Sequence, residues 1–224
     1  MIQRVYEQAM HATRLSKVIV ATDDPRIYEH VKKFGAEVVM TRSDHQSGTD
    51  RCFEALNNLK ENKLNGKFSH LINIQGDEPF IDPTQIDLLA EVISERDTEL
   101  ATLVIPVSSS DLLFNEGEVK VVVNKNMEAL YFSRSVIPHL KGIEPKDWHK
   151  NFVYYRHVGM YAYRSDVLEK ISALTPSPLE NAESLEQLRW LENGFKIKVA
   201  VTDHESHCID TPEDIQKILK LLSI

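Results

Sequence analysis

Two aspartates in this chain stand immediately after short apolar runs, which is where a buried strand would end. Asp77 follows "LINIQG" and Asp210 follows "HCI". In open α/β sheets ligands gather at the carboxyl ends of strands, where loops and helix N-termini converge. Two carboxylates at such ends are hard oxygen donors of the kind Mg²⁺ takes together with substrate phosphates. A plainer reading stays open for each. Gly76 and Pro79 shape a turn in which Asp77 and Glu78 are simply solvated. Thr211, Pro212 and Asp214 form a helix start that needs no further chemistry. That cap does not call for Asp210, which lies one residue outside it. Spacing alone does not show that the two aspartates meet.

A third polar stretch, "TRSDHQSGTDR" (41–51), lies between a strand ending at Met40 and the next helix. Arg42, His45, Ser47, Gly48 and Thr49 offer a cation, hydroxyls and close backbone approach, suited to a phosphate or nucleotide. Ser47 or Thr49 as a helix cap with Gly48 as a bend explains part of it equally well. In "YYRHVGMYAYR" (154–164), alternation buries Val158, Met160 and Ala162 and sends His157, Gly159, Tyr161 and Tyr163 to the other face. A single histidine beside aromatics is ordinarily structural. In "SPLENAESLEQLRWLENG" (177–194), Leu185, Leu188 and Leu191 make a core stripe, with Glu183, Glu186 and Gln187 partly on other faces. An acid-rich helix face is ordinarily just solvated.

The elements that must position these groups alternate. Helical spacing of Ile2, Val5, Tyr6, Ala9 and Met10 is followed by strand 17–21, helix 25–34 closed by Gly35, and strand 36–40. Helix 49–59, strand 70–74, helix 83–95 and strand 99–107 come next, then a hairpin of "KVVVN" and "ALYFS". Strand 157–163, helices 165–173 and 182–193, strand 196–202 and helix 212–222 complete the order. This pattern predicts an α/β domain with a mixed, mostly parallel sheet flanked by helices. Residues 108–151 break the alternation and read as an excursion beside the main sheet. A chain of 224 residues can bury a sizeable core as one domain. Its net charge of −8 argues against a broad nucleic-acid footprint. No apolar run reaches membrane-spanning length, the start is not of the signal-peptide type, and Cys52 and Cys208 make no metal-ligand pattern. A reduced, cytoplasmic enzyme without membrane or nucleic-acid partners is expected.

Six stretches in order, "TRSDHQSGTDR", "NIQGDEPFI", "ALYFSRSVIP", "RHVGMYAYR", "SPLENAESLEQLRWLENG" and "IDTPEDI", resemble the 3-deoxy-manno-octulosonate cytidylyltransferase (CMP-Kdo synthetase) family. The resemblance covers essentially the whole chain. It implies a Rossmann-like nucleotide-diphospho-sugar transferase fold across residues 1–224 and transfer of CMP from CTP to 3-deoxy-D-manno-octulosonate (Kdo) for lipopolysaccharide synthesis. It also implies Mg²⁺ and a homodimer built through the excursion. By the same resemblance Asp77 and Asp210 hold the metal, and Arg42, Ser47 and Gly48 sit by the cytidine of CTP. Gln75, His157, Tyr161, Glu186 and Gln187 line the sugar-acid pocket. The family opens with a strand inside the sheet and an Arg/Gly/Lys loop around the triphosphate. The resemblance begins just after that loop, and Met1 has no capping residue before it. Two alternatives stand beside this reading: a cytidylyltransferase for another sugar acid, of acylneuraminate type, and an inactive, N-terminally shortened fragment.

Overall fold

The computed structural model describes residues 1–61, 68–205, 209, 211 and 214–215. Its elements follow the expected order. Helix α1 is Ile2–Met10, with Met1 at its N-cap position and no side-chain cap. Strand β1 is Val20–Thr22, helix α2 Pro25–Lys33 and strand β2 Val38–Met40. Asp24 caps α2 by accepting from the Arg26 N–H, and Pro25 occupies the first turn, where its missing donor costs nothing. Gly35, at φ +81°, ends it in the left-handed conformation that a side chain resists.

Helix α3, Gly48–Glu61, leads to strand β3, His70–Asn73, and helix α4, Pro83–Ile93. A capping box between Asp82 and Gln85 fixes the start of α4. Strand β4, Leu100–Pro106, is followed by the short helix α5, Ser110–Phe114, which lies within the expected excursion. Strands β5, Lys120–Val123, and β6, Ala129–Ser133, pair antiparallel as the expected hairpin. A 3₁₀ turn at Pro145–Asp147 and helix α6, Trp148–Asn151, fold the rest of the excursion around Val107, Leu113, Trp148 and Tyr154. Strand β7, Tyr155–Arg164, helix α7, Ser165–Ser172, and strand β8, Ile197–Val201, lie where expected.

The region read as one helix over 182–193 is two. Helix α8 is Pro178–Glu183 and helix α9 is Gln187–Glu192. A Ser177–Glu180 capping box with Pro178 starts α8 early, and Ser184 at φ 52° closes it. The break lets Leu185 and Leu188 both enter the core while Glu186 points elsewhere. The Glu180 carboxylate, held below its ordinary range by the Arg189 guanidinium at 2.5 Å, ties the two helices together. Its stabilisation is present above the unfolded carboxyl value and is lost as pH falls through the lowered folded value. Replacing Arg189 by Met leaves Glu180 enclosed with only the Ser177 N–H to offset its charge. A cost of about 2 kcal/mol at pH 7, shrinking on acidification, is expected in urea unfolding.

The sheet is mixed, but its parallel share is smaller than expected. Among described residues β1–β2 and β4–β8 are parallel, while β3–β7, β4–β7, β5–β6 and β5–β7 are antiparallel. The reason is β7, a ten-residue strand that enters the middle of the sheet against its neighbours. One edge pairs with β5 and then β3; the other pairs with β4. Both faces of β7 are covered. Val158, Met160 and Ala162 pack with α4, and Tyr161 and Tyr163 pack with α7 and α9. The expected helix over 212–222 falls almost wholly outside the described residues. No described helix is long and apolar enough to cross a membrane.

Candidate active site

The site is built where β3 ends. Beyond Asn73 the chain turns at Gln75–Glu78, with the Glu78 N–H reaching the Gln75 carbonyl at 3.5 Å. The turn is anchored from two sides. Gln75 Nε2 donates to the Gly159 carbonyl at 3.3 Å, and the Ile209 N–H donates to the Asp77 carbonyl at 2.9 Å. Gly159 lies at a register shift in the β4–β7 pairing, between Tyr161 opposite Thr102 and Val158 opposite Leu103. Thr102 Oγ1 satisfies that irregularity by donating to the Met160 carbonyl at 2.8 Å, and it also meets His157 Nε2 at 2.9 Å.

Asp77 fits a cation. Its Oδ1 is buried and has no hydrogen-bond partner among the described residues. A buried orphan acceptor on an ionised group is costly unless a ligand completes it. Asp210, its expected companion, lies outside the described residues, although Ile209 is held against Asp77. No cluster of three or more metal-type ligands occurs among the described residues. Glu78, expected as a solvated neighbour in the turn, is 6% exposed. Burial and then the Asp77 charge push its carboxyl up to about 7. Its identity as a buried acid was hidden because a DE pair at a strand end reads as solvated.

A second polar group lies beside the start of α3. Thr49 Oγ1 donates to Glu186 Oε2 at 2.9 Å and lies 3.3 Å from the Tyr163 hydroxyl. Burial pushes the Glu186 carboxyl up, against hydrogen bonds from Thr49 and Ser47. Gly48 is a close-approach glycine: a Cβ there would stand 3.1 Å from Asn73 Nδ2. Thus Ser47, expected near the nucleotide, is joined to Glu186, expected in the sugar pocket, while Gly48, also expected near the nucleotide, lies against Asn73. Asn73 and Thr102 were not among the expected site residues, and Thr49 was expected only as a hydroxyl near a phosphate or as a helix cap. Each is a small polar residue inside a strand or at a helix start, where capping and pairing explain it without function.

Arg42 is placed differently. Its guanidinium makes a bidentate pair with Asp44 at 2.8 and 2.6 Å on the surface, and its N–H donates to Glu54. His45 is bound to that same Glu54. Gln187 is buried at the first position of α9. His157 packs between the rings of Phe132 and Tyr161, at 5.3 and 5.0 Å. The Tyr161 hydroxyl is buried without a hydrogen-bond partner among the described residues, a second orphan among the expected site residues. Desolvation pushes the His157 imidazole down to about 3. Between that value and the ordinary one of 6.5, the unfolded chain takes up a proton that the folded chain refuses. Stability therefore falls as pH drops through this window. Replacing His157 by Asn should flatten that slope, read as urea midpoints at pH 7 and pH 5.

Residues 1–197 match the family described as cytidylyltransferase. The chain belongs to that family. Its relatives include the 3-deoxy-manno-octulosonate cytidylyltransferase of Parabacteroides distasonis, 52% identical over 227 aligned positions that cover all of this chain and 88% of that protein. The corresponding mitochondrial enzyme of Arabidopsis thaliana is 42% identical, over 99% of this chain and 74% of its own length. The solved structure of CMP:2-keto-3-deoxy-manno-octonic acid synthetase complexed with CTP superposes with a TM-score of 0.87 at 39% identity, covering 99% of this chain and 87% of that one. A 4-diphosphocytidyl-2C-methyl-D-erythritol synthase from Anaerococcus prevotii shares the fold alone, with a TM-score of 0.61 at 12% identity. The Rossmann-like architecture of this cytidylyltransferase is thereby shown.

Proposed function

We propose that this cytidylyltransferase transfers CMP from CTP to Kdo, giving CMP-Kdo and pyrophosphate for lipopolysaccharide synthesis in the cytoplasm. The observation that carries the reading is the orphaned, buried Asp77 Oδ1 at the β3 end, in a chain whose full length is 52% identical to a 3-deoxy-manno-octulosonate cytidylyltransferase. In this reaction the anomeric hydroxyl of Kdo attacks the α-phosphorus of CTP. The bond to pyrophosphate breaks and the hydroxyl proton is given up. Such transfer depends on positioning and charge neutralisation more than on covalent catalysis.

Asp77, with Asp210 as its companion, suits Mg²⁺. When bound, that ion supplies positive charge beside the phosphate oxygens. The chain's own residues position the partners. Gln75 is held by the Gly159 carbonyl, so its amide is oriented before substrate arrives. The Ser47–Gly48–Thr49 turn couples the nucleotide side to Glu186 through the 2.9 Å Thr49 bond. Tyr161, with its unpartnered hydroxyl, and the neighbouring His157 offer polar edges to a sugar acid in an otherwise aromatic wall. His157 is neutral at physiological pH and hydrogen-bonds rather than carries charge. Arg42 would serve CTP only by leaving Asp44.

A homodimer through the excursion is part of the same proposal. Phe114 and Leu130 are exposed there, at 45% and 57%, as are Phe152 and Val153 just past its end. Sedimentation of the purified chain should give twice the monomer mass. The activity is tested by pyrophosphate release from CTP with Kdo and, in parallel, with an N-acylneuraminate. Release with Kdo alone is expected; preference for the acylneuraminate would overturn the acceptor assignment.

A further inference from the structure

Strand β4, "LATLVIP", carries one polar side chain, and that side chain is wholly buried: Thr102 is 0% exposed. A buried hydroxyl costs stability unless its hydrogen bonds are made, and valine has nearly the same shape without that cost. The partners of Thr102 are specific. Its Oγ1 stands 2.8 Å from the Met160 carbonyl, 3.3 Å from the Val158 carbonyl and 2.9 Å from His157 Nε2. All three belong to the stretch of β7 where the pairing register slips past Gly159.

The hydrogen count decides the arrangement. A threonine hydroxyl has one hydrogen to give and two lone pairs that accept. The two carbonyls only accept, so the hydrogen goes to the nearer one, on Met160. A bare His157 Nε2 would then set its lone pair against an oxygen lone pair at 2.9 Å, with no hydrogen between them. A ring hydrogen on Nε2 removes that conflict and satisfies every atom. His157 is neutral, burial having pushed its imidazole down to about 3, so it carries a single ring hydrogen. With that hydrogen on Nε2, Nδ1 is bare.

The two ring nitrogens have different surroundings. His157 is only half-buried. Its Nδ1 makes no hydrogen bond among the described residues, yet it is not one of the buried atoms left unpaired, so it reaches open space. Phe132 stands edge-on to the imidazole at 5.3 Å and Tyr161 lies at 5.0 Å, with the Tyr161 hydroxyl buried and unpartnered among the described residues. These ring contacts hold the plane of the imidazole and leave the choice of tautomer to Thr102.

We infer that Thr102 is a positioning residue that holds His157 in its Nε2–H form, so that Nδ1 meets the sugar acid as a bare acceptor demanding a hydroxyl. A bare nitrogen accepts from an O–H and repels the lone pairs of a carboxylate or carbonyl oxygen. It thereby selects which edge of the sugar acid lies on the aromatic wall. The ligand in this inference rests on the sugar-acid pocket of the proposed function. The tautomer is a property of the protein alone.

The test is nitrogen-15 NMR of the chain carrying labelled histidine, with the His157 signals identified by their loss in His157→Asn. In the substrate-free protein near neutral pH, His157 should carry its hydrogen on Nε2 and none on Nδ1. In Thr102→Val an Nε2–H would meet methyl groups as a buried unpaired donor, whereas an Nδ1–H reaches water, so most molecules should move the hydrogen to Nδ1. The Michaelis constant for Kdo should then rise roughly tenfold or more, the effect of turning one acceptor into a donor, while that for CTP stays within about twofold. Thr102→Ser keeps the hydroxyl and should restore both the tautomer and the Michaelis constant. A hydrogen found on Nδ1 of His157 in the unaltered chain overturns the proposal, whether or not Thr102→Val folds. So does a Thr102→Val protein that keeps the Nε2 hydrogen, leaves the Kdo constant unchanged or raises both constants alike. The NMR readout needs no substrate, so failure here and failure of the cytidylyltransfer reading are separable.

Discussion

Replacing Asp77 by Asn should lower CMP-Kdo formation by roughly a hundredfold to a thousandfold, the usual loss when one preorganised charge partner of a transition state is removed. The substitution keeps the side chain's shape and removes its charge. Stability should move the other way. Among the described residues Asp77 Oδ1 is a buried acceptor with no partner, and its charge raises the cost of ionising Glu78. An amide there removes the charge acting on Glu78 and leaves a neutral rather than a charged atom unpaired, so the unfolding midpoint should stay level or rise. Loss of turnover in a chain of equal or greater stability marks a functional strain rather than a structural prop. Turnover and urea unfolding on the same preparation check it. A variant that loses both equally would reassign Asp77 to the fold.

Trp190→Ala should have the largest effect on stability, about 3–5 kcal/mol. Trp190 is 1% exposed on α9, and its ring stands edge-on to Tyr161 and Tyr163 at 5.0 and 5.8 Å. Truncation opens a cavity under both tyrosines, and a helix as short as α9 cannot collapse into it without pulling on Glu186 and Gln187. For a chain of this size the loss corresponds to roughly 10 °C in melting temperature or more, readable by calorimetry. The Michaelis constant for the sugar acid should rise more than that for CTP, because Tyr161 and Glu186 both lose their backing.

Most elements were legible because their signals are local. Alternation in "RHVGMYAYR", proline at the first helical turn of α2 and α4, and glycine after α2 each act within a few residues. The single helix over 182–193 failed for a non-local reason. Ser184 takes a left-handed conformation so that Leu185 and Leu188 can reach the sheet while Glu186 meets Thr49. Strand direction was also poorly legible. Short apolar runs carry no sign of whether a neighbour runs parallel, and β7 pairs antiparallel with three partners. In the site, Asp77 was visible as a carboxylate at a strand end, but its orphaned oxygen was not. Glu78 looked solvated and is buried. The pairing of Ser47 and Thr49 with Glu186 spans well over a hundred residues, and no spacing rule reaches that far. Arg42 was chosen for its charge, and the structure spends that charge on Asp44.

Phosphorus NMR of the chain incubated with CTP, Kdo and Mg²⁺ addresses the central claim most directly. The account predicts that the three CTP resonances give way to one phosphodiester signal and pyrophosphate in equal molar amounts, with no change when Kdo is left out. Pyrophosphate formed without the phosphodiester, or the same phosphodiester formed at an undiminished rate by Asp77→Asn, would contradict it.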